Sequence, residues 1–297
     1  MLYTISDLEQ LSGIQSHTIR IWEQRYKALV PQRSSGNTRY YDGTQLLRLL
    51  NIVSINNRGL KISKICALSD EDIKQHIEQD IKETISANQQ YEFYISKLLQ
   101  YGIAYNEAKF SALLNLCLAK YEVSATYKFI VYPLLVRLGL MWRKDSICAA
   151  QEHFLTNIIR QKLFVAIENL PLANAADNTW LLFLPEQEEH EIGLLYANYA
   201  LRKHGQKVIY LGPRIPLESV NEVCQLNRIN HMLIFLVKND LIDTTQRYVD
   251  QLSATYPKIF IHLAGNQKLI SGLKLLYNVS WLSSIEQFEN QIKSDNQ

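Results

Sequence analysis

Ser16-His17-Thr18-Ile19-Arg20-Ile21-Trp22-Glu23-Gln24-Arg25-Tyr26 reads as one amphipathic helix. Ile19, Trp22 and Tyr26 fall on a single face at helical spacing, which leaves His17, Arg20 and the neighbouring polar side chains on the other. The residues before it, Thr4 to Ile14, read as a short capped helix that stops at Gly13. After it, Leu29-Val30-Pro31-Gln32-Arg33-Ser34-Ser35-Gly36-Asn37-Thr38-Arg39-Tyr40-Tyr41 gives two short extended pieces around a Ser-Gly-Asn turn. Two short helices at a Gly turn followed by a β-wing make a winged helix-turn-helix.

Charge is concentrated where that unit lies. Residues 1–65 hold 9 basic and 4 acidic side chains, residues 66–175 hold 11 and 12, and residues 176–297 hold 11 and 13. A basic head on a faintly acidic body suits an end that binds a polyanion. The first ten residues, MLYTISDLEQ, carry acids where a secretory leader is basic, and no stretch reaches the roughly 18 apolar residues that span a bilayer. A cytoplasmic chain with no membrane partner is the expectation. Cys66, Cys117, Cys148 and Cys224 lie far apart, with no C-x-x-C pair, which argues against a disulfide framework or a cysteine zinc site.

Beyond a boundary at the acidic run Leu68 to Asp72, periodicity is helical only. Ile73, Ile77, Ile81 and Ile85 recur every four residues, followed by apolar runs at Tyr91 to Leu99, Phe110 to Leu118, Phe129 to Trp142 and Phe154 to Ile167. Four or five helices with breaks such as Tyr101-Gly102 predict a bundle over 71–172. After the small polar linker at Pro171 to Asn178 come four short apolar runs, Trp180 to Leu184, Lys207 to Leu211, His231 to Val237 and Ile259 to Leu263, with helical segments between them. They predict a doubly wound parallel sheet over 178–297, Rossmann-like with flavodoxin-like order.

Residues 2 to 70 resemble the MerR family of transcription regulators. The likeness lies in the opening Tyr-Thr-Ile, the Thr18 to Tyr26 string, the Leu-Val-Pro-Gln-Arg approach to the wing and its Arg-Tyr-Tyr exit. The resemblance implies a DNA-binding domain over 1–70 that grips double-stranded promoter DNA as a dimer, with His17, Arg20, Arg25, Arg33, Arg39 and Tyr40 at the duplex. Arg25 could instead brace the fold by pairing internally.

The loop after the first run of the sheet holds Glu188-x-His190-x-x-Gly193, which resembles the D-x-H-x-x-G signature of cobalamin-binding domains, with Glu in place of Asp. A loop at the carboxyl edge of a parallel sheet is where ligands dock, imidazole is a suitable cobalt donor, and a carboxylate two residues away can hold the other ring nitrogen. Trp142 followed after nine residues by Glu152-His153 resembles the bundle of MerR-type cobalamin photoreceptor repressors. In that family the Trp and the Glu-His pair contact the upper group of adenosylcobalamin, between bundle and sheet, and the signature His is the cobalt ligand. Arg143 stands where light-sensing relatives carry a His. The family's Ser-x-Leu and Gly-Gly, which make room for the nucleotide tail, correspond to Phe235-Leu236-Val237 and to Gly265 within Ala264-Gly265-Asn266. A bulky residue there would fill the tail's groove.

The resemblance therefore implies a non-enzymatic regulator, a repressor acting by promoter occlusion, controlled by adenosylcobalamin and by light, and working as a dimer or tetramer. Two alternatives share the architecture. One is a sensor without the cofactor that answers another ligand or a protein partner; the other is a corrinoid methyl carrier, against which the head argues. No P-loop, H-E-x-x-H, G-x-S-x-G or G-x-G-x-x-G pattern points to another chemistry.

Overall fold

The computed structural model describes residues 2–34, 36–56, 60–68, 72, 87–142, 148–172, 178–238 and 241–294. They form two compact units, Met1–Ile158 and Ile159–Gln297.

In the first unit, helix α1 (Ile5–Ser12) begins in a capping box. Thr4 N donates to Asp7 Oδ2 at 2.7 Å, and Asp7 N donates back to Thr4 Oγ1 at 3.3 Å. It ends at Gly13, whose φ of 72° is a left-handed cap that glycine adopts without penalty. Helix α2 (Ser16–Tyr26) buries Ile19 and Trp22 and leaves Tyr26 half-buried. The wing is the antiparallel pair β1 (Gln32–Arg33) and β2 (Arg39–Tyr40). Tyr3 and Tyr41 exchange backbone hydrogen bonds at 2.7 and 2.8 Å, which ties the start of the chain to the wing's exit. Helices α3 (Gly43–Asn56) and α4 (Ile62–Cys66) complete the head.

The following helices are α5 (Ala87–Ile103), α6 (Glu107–Thr126), α7 (Tyr132–Trp142) and α8 (Ala149–Glu168). A π-helical turn, Tyr127–Val131, joins α6 to α7 just before Pro133. Proline has no N–H to give the carbonyl four residues back, and its ring crowds that carbonyl, so a widened turn at this point has a local cause. The expected break at Tyr101-Gly102 is not there: α5 runs through Gly102 to Ile103. Glycine is needed for packing instead, because a Cβ at Gly102 would lie 1.9 Å from Leu155 Cδ2 of α8. The helix actually stops at Tyr105, in left-handed conformation at φ 53°, and Asn106 caps α6 by accepting from Lys109 N at 3.1 Å. The recurring isoleucines from Ile73 to Ile85, and most of the acidic boundary before them, lie outside the described residues.

The second unit is a parallel sheet of β3 (Thr179–Pro185), β4 (Lys207–Ile215), β5 (His231–Leu236), β6 (Phe260–Gly265) and β7 (Val279–Trp281). Their spatial order is β4-β3-β5-β6-β7, the flavodoxin-like arrangement. Between the strands run α9 (Ile192–Lys203), α10 (Leu217–Leu226), α11 (Ile242–Thr255) and α12 (Gln267–Ile270), and α13 (Ile285–Ser294) follows β7. The four apolar runs all become strands. The fifth, β7, has three residues and only Val279 buried, too little pattern to register in the sequence. Gly212-Pro213, which reads as a turn, is inside β4, where the pairing with β3 slips and Gly212 takes φ 86°.

Alternation divides the sheet's side chains between two layers. Met232, Ile234 and Leu236 of β5 pack with Val220 of α10 and Val249 of α11. On the opposite face Trp180 stacks on His231 and His262, at 4.4 and 4.9 Å between centroids, with Phe288 of α13 edge-on at 6.4 Å. Tyr196 of α9 donates to Glu289 Oε1 of α13 at 3.1 Å, closing that layer from outside. Among the described residues no helix is long and apolar enough to cross a membrane.

Candidate nucleic-acid interface and ligand site

On α2 the buried Ile19 and Trp22 turn His17, Arg20 and Arg25 outward, all exposed, together with Ile21 and Gln24. His17, Arg20, Ile21 and Gln24 follow one another at i, i+3, i+4 and i+7, one stripe of the helix. The wing's arginines are placed differently from one another. Arg33 is exposed and donates from Nη1 to Asn37 Oδ1 at 2.5 Å across the turn, with Asn37 at φ 62°. Arg39 donates from Nε to Glu23 Oε1 of α2 at 3.0 Å, and the same carboxylate accepts from Tyr41 Oη at 2.9 Å. The internal brace is thus Arg39, whereas Arg25 faces outward. Tyr40 is half-buried in β2. Glu23 was not among the expected residues. It lies inside the quoted helix, but its partners are sixteen and eighteen residues away and nothing local announces them.

The second site is built at the carboxyl ends of β3 and β5, where the order of strands reverses and their loops part. Glu188 is buried, and its carboxylate joins the two loops. Oε1 accepts from Glu189 N at 2.9 Å, His190 N at 3.1 Å and His190 Nδ1 at 2.5 Å. Oε2 accepts from Val237 N and Lys238 N, both at 2.8 Å. Burial works against the charge, but the hydrogen bonds from His190 and from the backbone of Lys238, His190 and Val237 outweigh it and hold the carboxyl at about 2. A carboxylate accepts only, so the hydrogen of the His190 ring sits on Nδ1 and Nε2 is the atom with metal-ligating character. The His190 side chain is half-exposed.

Glu191, next along, is buried and was not expected. It accepts from Tyr210 Oη at 2.9 Å and is ion-paired with Arg160 of α8. Burial, then the Glu191 charge, pushes the Tyr210 phenol up and keeps it protonated. Outside, Glu189 pairs with Arg214, which sits at φ 59° in β4, and Arg214 N donates to Glu188 O at 3.2 Å. The acidic run Glu186 to Glu191 was the available signal, but it does not say which carboxylate is inside.

The chemistry on the metal side fits a corrinoid: one imidazole donor, its tautomer fixed by a buried carboxylate. The space beside it does not fit a corrinoid's nucleotide tail. A Cβ at Gly193 would lie 2.5 Å from Phe235 Cε1, so the ring of Phe235 occupies the place the glycine leaves open. Gly265 is at φ 119°, and a Cβ there would lie 2.4 Å from Leu236 O, so the close approach of β6 to the end of β5 accounts for that glycine. In the other unit Glu152 and His153 are adjacent on α8, with Oε2 to Nδ1 at 3.2 Å and His153 exposed. Trp142 closes α7, and its side chain, like Arg143, lies outside the described residues.

Comparison with known proteins matches two segments of the chain to family models. The model of the MerR HTH family regulatory protein matches residues 3–71, and that of the B12 binding domain matches residues 94–166. The HTH-type transcriptional repressor CarH of Myxococcus xanthus is 28% identical over 221 residues, 73% of this chain and 73% of that one. CarA of the same organism, also an HTH-type transcriptional repressor, is 28% identical over 226 residues, 75% of this chain and 73% of its own length. Among solved structures, the Methanosarcina barkeri monomethylamine corrinoid protein superposes with a TM-score of 0.55 at 16% identity, over 70% of this chain and all of that one, a likeness of fold. The chain, in which a MerR helix-turn-helix head and a B12-binding helical module precede a Rossmann-like parallel sheet, is a homologue of the CarH and CarA repressors.

Proposed function

We propose that this protein is a cytoplasmic transcription regulator, a repressor, whose grip on promoter DNA is set by a corrinoid held at His190. The outward stripe of α2, with His17, Arg20 and Arg25 beside a wing carrying Arg33, is the observation that carries the DNA reading. It offers charge and planar donors to phosphates and base edges, and α2 is the helix such heads place in the major groove. Arg39 and Tyr40 serve the same surface, Arg39 through its hold on the wing. In this reading His190 would hold the cobalt and Glu188 would orient its ring, while Trp142, Glu152 and His153 are the residues that the family resemblance assigns to an adenosyl group. When bound, such a group supplies a light-sensitive cobalt–carbon bond. The regulator works as a homo-oligomer, dimer or tetramer, as the symmetry of paired half-sites requires.

The test is a titration of the full chain with duplex from its own upstream region over a range of salt. Affinity falls steeply with salt, and Arg20→Ala weakens binding while lowering the slope of log K against log salt by about one. Affinity that is flat in salt would remove the regulator reading. A reduced slope without loss of base preference would assign Arg20 to phosphate.

A further inference from the structure

The space beneath His190 is already filled. Resting on the corrinoid reading above, we infer that Phe235 makes this module selective for corrinoids that lack the lower nucleotide, and that it disfavours complete cobalamins in the histidine-ligated form.

A complete cobalamin carries its own base on a tether below the corrin. When a protein imidazole takes the lower position, base and tether must leave the metal and run down past the ligating residue. The direction is fixed by the fold, because His190 stands on the carboxyl ends of β3 and β5 with α9 starting two residues later. The tether would have to descend between the sheet and α9, and the first residue on that path without a side chain is Gly193.

Its free volume is taken. Three ring atoms of Phe235 lie 2.5, 2.8 and 3.2 Å from where a Gly193 Cβ would be, so ring and helix backbone are in direct contact. Further down the same face Leu233 is buried, and Trp180 is stacked against both His231 and His262. The helices over this layer are joined by the Tyr196–Glu289 hydrogen bond. Phe235 itself is only partly buried. Its ring can swing out, but that gives up its packing on Gly193, and the loss appears as weaker binding of any ligand that needs the space. A corrinoid without the nucleotide meets His190 and needs none of it.

The decisive experiment compares adenosylcobalamin with adenosylcobinamide, which has the same corrin and upper group and no nucleotide. Dissociation constants are measured on the full chain in the dark by visible absorption and calorimetry. The wild type binds the cobinamide about tenfold or more tightly than the cobalamin, and Phe235→Ser tightens the cobalamin alone and closes the gap. Electron paramagnetic resonance of the cobalt(II) forms, with isotope-labelled histidine in the protein, gives an independent readout. The cobinamide shows a protein nitrogen on cobalt; wild-type protein with cobalamin shows the ligand's own base.

Equal affinities in the wild type, or a histidine-ligated cobalamin bound as tightly as the cobinamide, overturns the inference and leaves the cofactor reading intact. Binding of neither compound overturns the cofactor reading and this inference with it. If Phe235→Ser fails to fold, the wild-type comparison alone decides.

Discussion

Five N–H groups converge on the two oxygens of Glu188, so the side chain works as a buried anchor for two loops. Glu188→Gln keeps the size but offers an NH2 to donors that need an acceptor, and it should cost about 1–3 kcal/mol of unfolding free energy in denaturant titrations. His190→Ala, which removes one of the five donors, should cost less. His262 carries a prediction of a different kind. It is buried against Trp180, its Nε2 lies 3.1 Å from His231 Nδ1, and its Nδ1 lies 2.8 Å from Ser280 Oγ. Burial, and then the His231 charge, lowers it from 6.5 to about 3. Between those values the unfolded chain binds the proton and the folded one does not. Stability is therefore full above pH 6.5 and drains away as pH falls toward 3, with a slope of up to about 1.4 kcal/mol per pH unit from this one group. In His262→Gln the fall in melting temperature between neutral pH and pH 5 should be smaller; an unchanged fall would place the loss elsewhere.

Elements are legible in a sequence when burial leaves a periodic trace, and two packing contacts show where that trace stops. Gly102 reads as a helix break because glycine usually punctuates, yet here it admits Leu155 to the surface of α5. Gly102→Ala should destabilise the helical unit by about 1–3 kcal/mol, and Leu155→Ala in the same protein should recover part of the loss, as thermal unfolding of the four variants of the cycle would show. Lys97 Nζ of α5 donates to Asn51 Oδ1 of α3 at 2.8 Å, both side chains buried, and so fixes the head on the helices that follow it. Asn51→Leu should lower stability more than Asn51→Asp, which keeps an acceptor for that cation. The runs that became β3 to β6 were readable because they are short and mostly apolar between helical segments. β7 was not, being short and at the edge, and neither was the bulged end of β4, where Gly212-Pro213 carries the same letters as a turn. In the sites the same rule holds. His190 and Glu188 are neighbours in the chain and could be read, and the bulk of Phe235 was visible beforehand as a departure. That its ring rests on Gly193, that Glu191 pairs with Arg160 and that Glu23 holds Arg39 depend on chain segments that only the fold brings together.

At the scale of the molecule, the two compact units give the ligand a measurable address. His190 lies in the unit Ile159–Gln297, so by mass action a corrinoid bound through it should stabilise that unit against unfolding by about 2.7 kcal/mol at free ligand a hundredfold above Kd, and raise its melting temperature. Calorimetry of wild type and His190→Ala, each with and without the ligand, checks it; an equal rise in both would detach the ligand from His190. The Glu23 carboxylate has a consequence for what such a regulator can recognise. By holding Arg39 and Tyr41 of the wing against the helix that carries Arg20, it sets a ruler of fixed length between the parts that the proposed function sets against neighbouring stretches of duplex. An operator with one base pair added between those stretches leaves the protein no joint to adjust, so the mismatch must be absorbed by bending or untwisting the DNA, and flexible pyrimidine–purine steps at that position would be favoured.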